Sequence, residues 1–156
     1  MSMTQVLEII TTLCAALLIG NELSVAVFFH PLLNRLPDPV HSATAKALAR
    51  LFGRVMPFWY ALTLLLTAAE ALLRRPLLQA PGLYFLISSA LWALCIVYTI
   101  AGEVPINNRI AAWQLDRLPE NWRQERNRWD QLHRLRVGLL LIALVFQLLG
   151  TSAQPA

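Results

Sequence analysis

The chain has 156 residues, of which 57% are hydrophobic and 14% charged, with a net charge of +4 and a mean hydropathy of +0.53. Soluble domains carry roughly 25% charged residues, so the composition excludes an ordinary water-facing globule. The length fits one domain over 1–156, and no Gly-, Ser- or Pro-rich linker divides it.

Four apolar stretches approach the length of about 20 residues that a helix needs to cross a bilayer. The first is predicted from about Val6 to Phe29, ended by His30-Pro31, because the residue before proline avoids the helical region. It lacks Lys or Arg before Arg35, so it reads as a retained span and not as a secretory leader. The second runs from Val55 to Leu73 and is ended by Arg74-Arg75-Pro76. The third, Leu83 to Ala101, is opened by Pro81-Gly82 and ended by Glu103-Val104-Pro105. The short connection between the second and third implies an antiparallel hairpin.

The fourth stretch is apolar only from Val137 to Gly150, 14 residues. To span, it must begin near Gln131, which draws His133, Arg134 and Arg136 to the membrane boundary. Pro119-Glu120 is a good start for the helix leading into it. The expected fold is therefore all-α, a bundle of four transmembrane helices.

Eleven basic residues (Arg35, Lys46, Arg50, Arg54, Arg109, Arg117, Arg123, Arg126, Arg128, Arg134 and Arg136) fall on one side, against Arg74 and Arg75 on the other. Cytoplasmic loops carry the positive excess, so both termini are expected outside, as in a bacterial inner membrane, with the fourth helix extended into the cytoplasm. The basic collar suits anionic lipid headgroups. Nucleic acid is not expected, because no aromatic-and-basic docking platform stands apart from the bilayer. Expected partners are the bilayer, a small hydrophobic aromatic ligand and, as an open alternative to a lone chain, a homo-oligomer.

Ionisable groups in a bilayer are costly and usually face the bundle interior. Asn21, Glu22, His30, Glu103, His133 and Arg136, from three spans, gather in one half of the bundle. Glu70 falls in the other half beside Arg74, and reads as a local i,i+4 ion pair. Trp122, Arg126, Trp129, His133 and Arg136 recur at spacings of 4, 3, 4 and 3, which is one helical face. This face suits either an interfacial belt or the wall of a pocket. On the third span Ser88, Trp92, Cys95, Thr99 and Gly102 form a face of mostly small residues suited to close helix packing, leading to Glu103. Cys14 and Cys95 read as buried packing residues, His41 as a surface histidine, and Phe58, Trp59 and Tyr60 as an aromatic belt.

Val104-Pro105-Ile106-Asn107-Asn108, then Trp113, then Trp129-xxx-His133-xx-Arg136 resemble the anthrone oxygenase-like family of small four-helix membrane proteins. The resemblance implies oxygenation of an anthrone to an anthraquinone without an added cofactor. It implies functional roles for Asn107, Asn108, Trp129, His133 and Arg136, with Trp113 as a further substrate-binding position. Glu22 and Glu103 join the catalytic set through their depth in the bilayer. Such chemistry needs a base for an acidic C–H, for which His133 is the expected residue. Arg136 and the two asparagines suit the developing enolate charge, and Trp129 suits a flat ring.

Two alternatives come from other classes. Glu22, His30, Glu103 and His133 offer ligands for a metal ion or haem, as four-helix bundles commonly do, although no HExxH or ExxH pair is present and Asp130-xx-His133 comes nearest. A non-catalytic packing or transport partner would use the polar groups for helix association alone.

Overall fold

A computed structural model describes residues 2–153. Four helices, Met3–Leu33, Asp38–Leu73, Gly82–Ala112 and Trp122–Ser152, are long and apolar enough to cross a membrane. Each packs antiparallel on its chain neighbours, and the fourth closes against the first. Both described ends of the chain therefore lie at one end of the bundle, together with the hairpin between the second and third helices. The other two connections lie at the opposite end.

The surface is apolar, and the interior mixes polar side chains among apolar ones. Outward-facing residues include Phe58, Leu65, Phe28 and Val97, each more than 60% exposed. Meanwhile Thr11, Thr63, Thr67, Glu70, Ser88 and Gln147 are completely buried. A bilayer imposes this pattern: lipid solvates the apolar faces, and polar groups must find partners inside the bundle. Ser88 donates to the Ala143 carbonyl at 2.8 Å, tying the third helix to the fourth, and Trp59 donates to the Cys14 carbonyl, tying the second to the first. Cys95 is fully buried, and Cys14 is half-buried with its sulfur 3.3 Å from the Thr63 hydroxyl.

The prolines end fewer helices than their positions suggest. The first helix continues past Pro31 to Leu33, and the third past Pro105 to Ala112. In each case the five residues before the proline's neighbour form a wide π turn, Val25–Phe29 and Thr99–Glu103. His30 N–H reaches back to the Val25 carbonyl and Val104 N–H to the Thr99 carbonyl. The wider turn gives the proline ring the room that an α turn denies it. Pro57 lies inside the second helix and, having no N–H, leaves the Gly53 carbonyl without its helical donor. The fourth helix begins at Trp122, slightly after Pro119, whose carbonyl accepts from Trp122 N–H at 3.1 Å.

The end bearing the termini is held by charge. Arg74 binds Glu8 at 3.0 Å, pairs with Glu70, and lies over the Phe85 ring at 4.6 Å. The expected Glu70–Arg74 pair is thus part of a larger clasp across three helices. At the opposite end His41 is buried and packs edge-on against Trp122 at 5.2 Å, which corrects the expectation of a surface histidine. Its helix starts at Asp38, far enough before the apolar run that His41 faces the fourth helix's extension instead of water.

Candidate functional site

The widened turns flank the polar half of the interior. Glu22 lies three residues before the first, and Glu103 closes the second. A π turn inserts one extra residue into the helical register and so rotates the rest of the helix by about 100° relative to an uninterrupted one. Near Glu22 the helix loosens, because Val25 N–H divides between the Asn21 and Glu22 carbonyls.

His133, from the fourth helix, is 1% exposed and has its Nε2 3.1 Å from the Glu22 carbonyl. A carbonyl can only accept, so Nε2 carries the proton. Its Nδ1 lies 2.9 Å from Arg136 Nη2, which can only donate. Both contacts agree on one neutral tautomer with neither nitrogen free. Arg136 Nη2 also donates to Glu22 Oε2 at 2.6 Å, and Nη1 to the Thr99 hydroxyl at 3.1 Å. Arg136 Nη1 stands 3.0 Å from Glu103 Oε2 as an ion pair without hydrogen-bond alignment, and Glu103 Oε1 has no partner among the described residues. The guanidinium therefore bridges two buried carboxylates. The group holds one carboxylate more than it has cations, so it can take up one proton without becoming positively charged.

These side chains line a cavity of about 410 Å³, within the range of roughly 300–1,000 Å³ typical of small-molecule sites. Glu22, Glu103, Asn107, Asn108, Trp129, His133 and Arg136 all face it. Phe52, Met56 and Ile96 supply apolar wall. Asn107 is held by its own donation to the Ala49 carbonyl at 3.0 Å.

Trp113 does not reach the cavity. It is buried against Trp122 with ring centroids 5.9 Å apart, and its carbonyl accepts from Lys46. Trp129 lines the cavity, but its ring is stacked on His133 at 4.9 Å and has Arg126 over it at 4.4 Å, so little of its face remains for a ligand. His30 turns toward Asp130, 3.6 Å away, which also pairs with Arg126 at 2.7 Å. Of the four expected ligands, Glu22, Glu103 and His133 draw together, His133 Nδ1 lying 3.4 Å from Glu22 Oε2 and 3.9 Å from Glu103 Oε2, while His30 faces Asp130 instead. Among the described residues no three His, Cys, Asp or Glu are grouped to hold a metal ion. Arg136 already fills the cationic position between the carboxylates, and the residues present do not fit a metal there.

Asn21, which the sequence placed in the polar cluster without a role, lines the site, and so does Tyr60, which the sequence assigned to an aromatic belt. Tyr60 is buried at the cavity wall, its hydroxyl has no partner among the described residues, and Arg136 lies 5.4 Å from its ring centroid. Asn21 also lines the cavity with its amide nitrogen unpartnered. One signal in the sequence pointed to Tyr60: with Thr63, Thr67 and Glu70 it forms a polar row along one helical face, which an interfacial belt does not need.

The family model for anthrone oxygenase matches residues 45–146. The chain belongs to the anthrone oxygenase family. No curated protein and no solved structure matches it. The family match runs from within the second helix to within the fourth, covering Tyr60, Glu103, Asn107, Asn108, Trp129, His133 and Arg136. Asn21, Glu22 and Val25, which the first helix brings to the same cavity, lie outside it.

Proposed function

We propose that this chain oxygenates a flat, anthrone-like ketone inside the bilayer, with Glu103 as the base. The observation that carries this reading is the unpartnered Glu103 Oε1 at the cavity wall. His133, the sequence-level choice, has both nitrogens engaged; it serves instead to position Arg136 and Glu22.

The reaction needs no resident electron carrier. A CH₂ group flanked by two rings and conjugated to the opposite carbonyl is acidic because its anion is an aromatic enolate. Glu103 takes one of its protons, and the enolate oxygen is stabilised by donors already fixed in place, of which Tyr60 Oη and Asn21 Nδ2 are free. The carbanion carbon bonds to O₂, and the resulting peroxide takes up a proton. Loss of the remaining C–H proton with cleavage of the O–O bond gives the second carbonyl and water. One CH₂ and one O₂ become one C=O and one H₂O, so O₂ is the whole oxidant.

In this reading the end of the bundle that carries eleven of the thirteen basic residues lies toward the cytoplasm, both termini lie outside, and the fourth helix extends beyond the inner surface of a bacterial inner membrane. The test uses the purified protein in lipid vesicles with anthrone, the protein-free oxidation rate being subtracted. Expected are one O₂ consumed per anthraquinone formed, ¹⁸O from ¹⁸O₂ in one carbonyl, and a loss of roughly 100-fold or more in Glu103→Gln. Full activity in that variant would remove Glu103 from the role, and no activity above background in the parent would remove the reaction.

A further inference from the structure

The cavity is not closed evenly. Its liners from the first and fourth helices are buried (Glu22, Val25, Trp129, His133 and Arg136) or half-buried (Asn21), and none is exposed. Its exposed liners come from the second and third helices alone: Gly53, Pro57 and Ala61 on one, Ile100, Val104 and Asn108 on the other. Each trio is spaced i, i+4, i+8 and so forms one edge of its helix. Two facing edges with the cavity behind them describe a slot.

What the slot faces is set by its neighbours. Phe58, Val97 and Ile100 are 79%, 64% and 61% exposed, and no charged side chain lies among the six lip residues. Most of the slot therefore opens into the apolar belt of the bundle; only Asn108 marks its polar end. The lip on the second helix is low, because glycine, proline and alanine project little. The interior end of the slot is polar: Tyr60, one residue before Ala61, is buried with its hydroxyl unpartnered. A slot that is apolar at its mouth and offers a hydrogen-bond donor inside fits a flat apolar molecule carrying a carbonyl or hydroxyl.

We propose that the slot between the second and third helices is a lateral portal, through which such a molecule passes between the bilayer and the cavity without entering water. This rests on reading the cavity as a ligand site, but it concerns the route and not the reaction.

The probe is anthraquinone, partitioned into vesicles of phosphatidylcholine and phosphatidylglycerol that contain the protein, with its quenching of tryptophan fluorescence followed in time. Ala61→Phe and Val104→Phe narrow the mouth. Leu65→Phe and Leu94→Phe, exposed positions that do not line the cavity, are the controls. Entry and release are both expected to slow by about tenfold or more in the mouth variants, equivalent to roughly 1.4 kcal/mol on each barrier. The controls are expected to keep the parental rates. The portal is overturned if the mouth variants keep those rates too, or lose equilibrium quenching with no change in entry. An absence of saturable quenching in the parent overturns both the portal and the ligand-site reading, whereas normal binding at normal rates in the mouth variants leaves the ligand site standing and removes only the route.

Discussion

At the scale of single residues, Arg136 is the most heavily committed side chain, touching Glu22, Glu103, Thr99 and His133 at once. Arg136→Met strands two buried carboxylates and is expected to cost about 3–5 kcal/mol of stability, read as an earlier loss of helix on heating in detergent. Adding Glu22→Gln to that variant should recover part of the loss, because one uncompensated charge disappears. Tyr60→Phe is expected to behave oppositely. Removing a buried hydroxyl with no partner leaves stability unchanged or raises it, by up to about 1–3 kcal/mol. Anthraquinone affinity should fall by up to tenfold, and a variant that binds as tightly as the parent would take Tyr60 out of the site. The sequence made Glu22, Glu103, His133 and Arg136 legible because charge in an apolar run has few innocent explanations. It concealed which of them is free: the His133 contacts come from an atom of the Glu22 backbone and from a guanidinium one turn along the helix, and neither is visible in residue type.

Among the elements, the helix boundaries at Arg74-Arg75-Pro76 and Pro81-Gly82 were read well, where proline stands directly beside arginine or glycine. They were misread where proline comes after a π turn, because the wider backbone turn that accommodates Pro31 and Pro105 leaves no trace in composition. Both wide turns border the polar site, where such turns are often found. Pro57 belongs to the same class of local irregularity. Pro57→Ala restores a donor for the Gly53 carbonyl and removes the ring's clash, so the second helix should become more stable, by about 1 kcal/mol or more. Pro57 is also part of one lip of the slot, and the exchange rate of anthraquinone should change when its ring is removed. Greater thermal stability with an unchanged exchange rate would show that Pro57 does not shape the mouth.

For the whole molecule, span number and bundle class came from apolar length alone, since a bilayer leaves a chain few ways to satisfy its backbone. Orientation is the part that awaits a measurement. With single cysteines introduced at Leu78 and Gln114 in a background lacking Cys14 and Cys95, a membrane-impermeant thiol reagent applied to intact cells should label only Leu78→Cys. Labelling of Gln114→Cys alone would invert the topology. The ring-like closure of fourth helix on first was less legible. It joins Glu22 to His133 and Arg136, Thr12 to Gln147, and Ala15, Leu18 and Ile19 to Leu140 and Ala143, and the first helix gave no motif by which its partner could be known.

Gly82 gives the hairpin between the second and third helices a particular character. A Cβ there would lie 2.1 Å from the Arg74 carbonyl oxygen, so the two helix ends touch backbone to backbone, and Arg74 clasps Glu8 and Glu70 beside them. This end behaves as the pivot of a pair of tweezers. The tips of the tweezers are the lips at Gly53 and Asn108, which lie roughly 30 Å along the second helix from that pivot at 1.5 Å per residue and are tethered there by the Asn107 bond to the Ala49 carbonyl. At that lever length, one degree of rotation moves a tip by about 0.5 Å. Gly82→Ala, made on the far side of the bundle from every polar group of the cavity, is therefore expected to change how fast anthraquinone exchanges while leaving the cavity's own contacts in place.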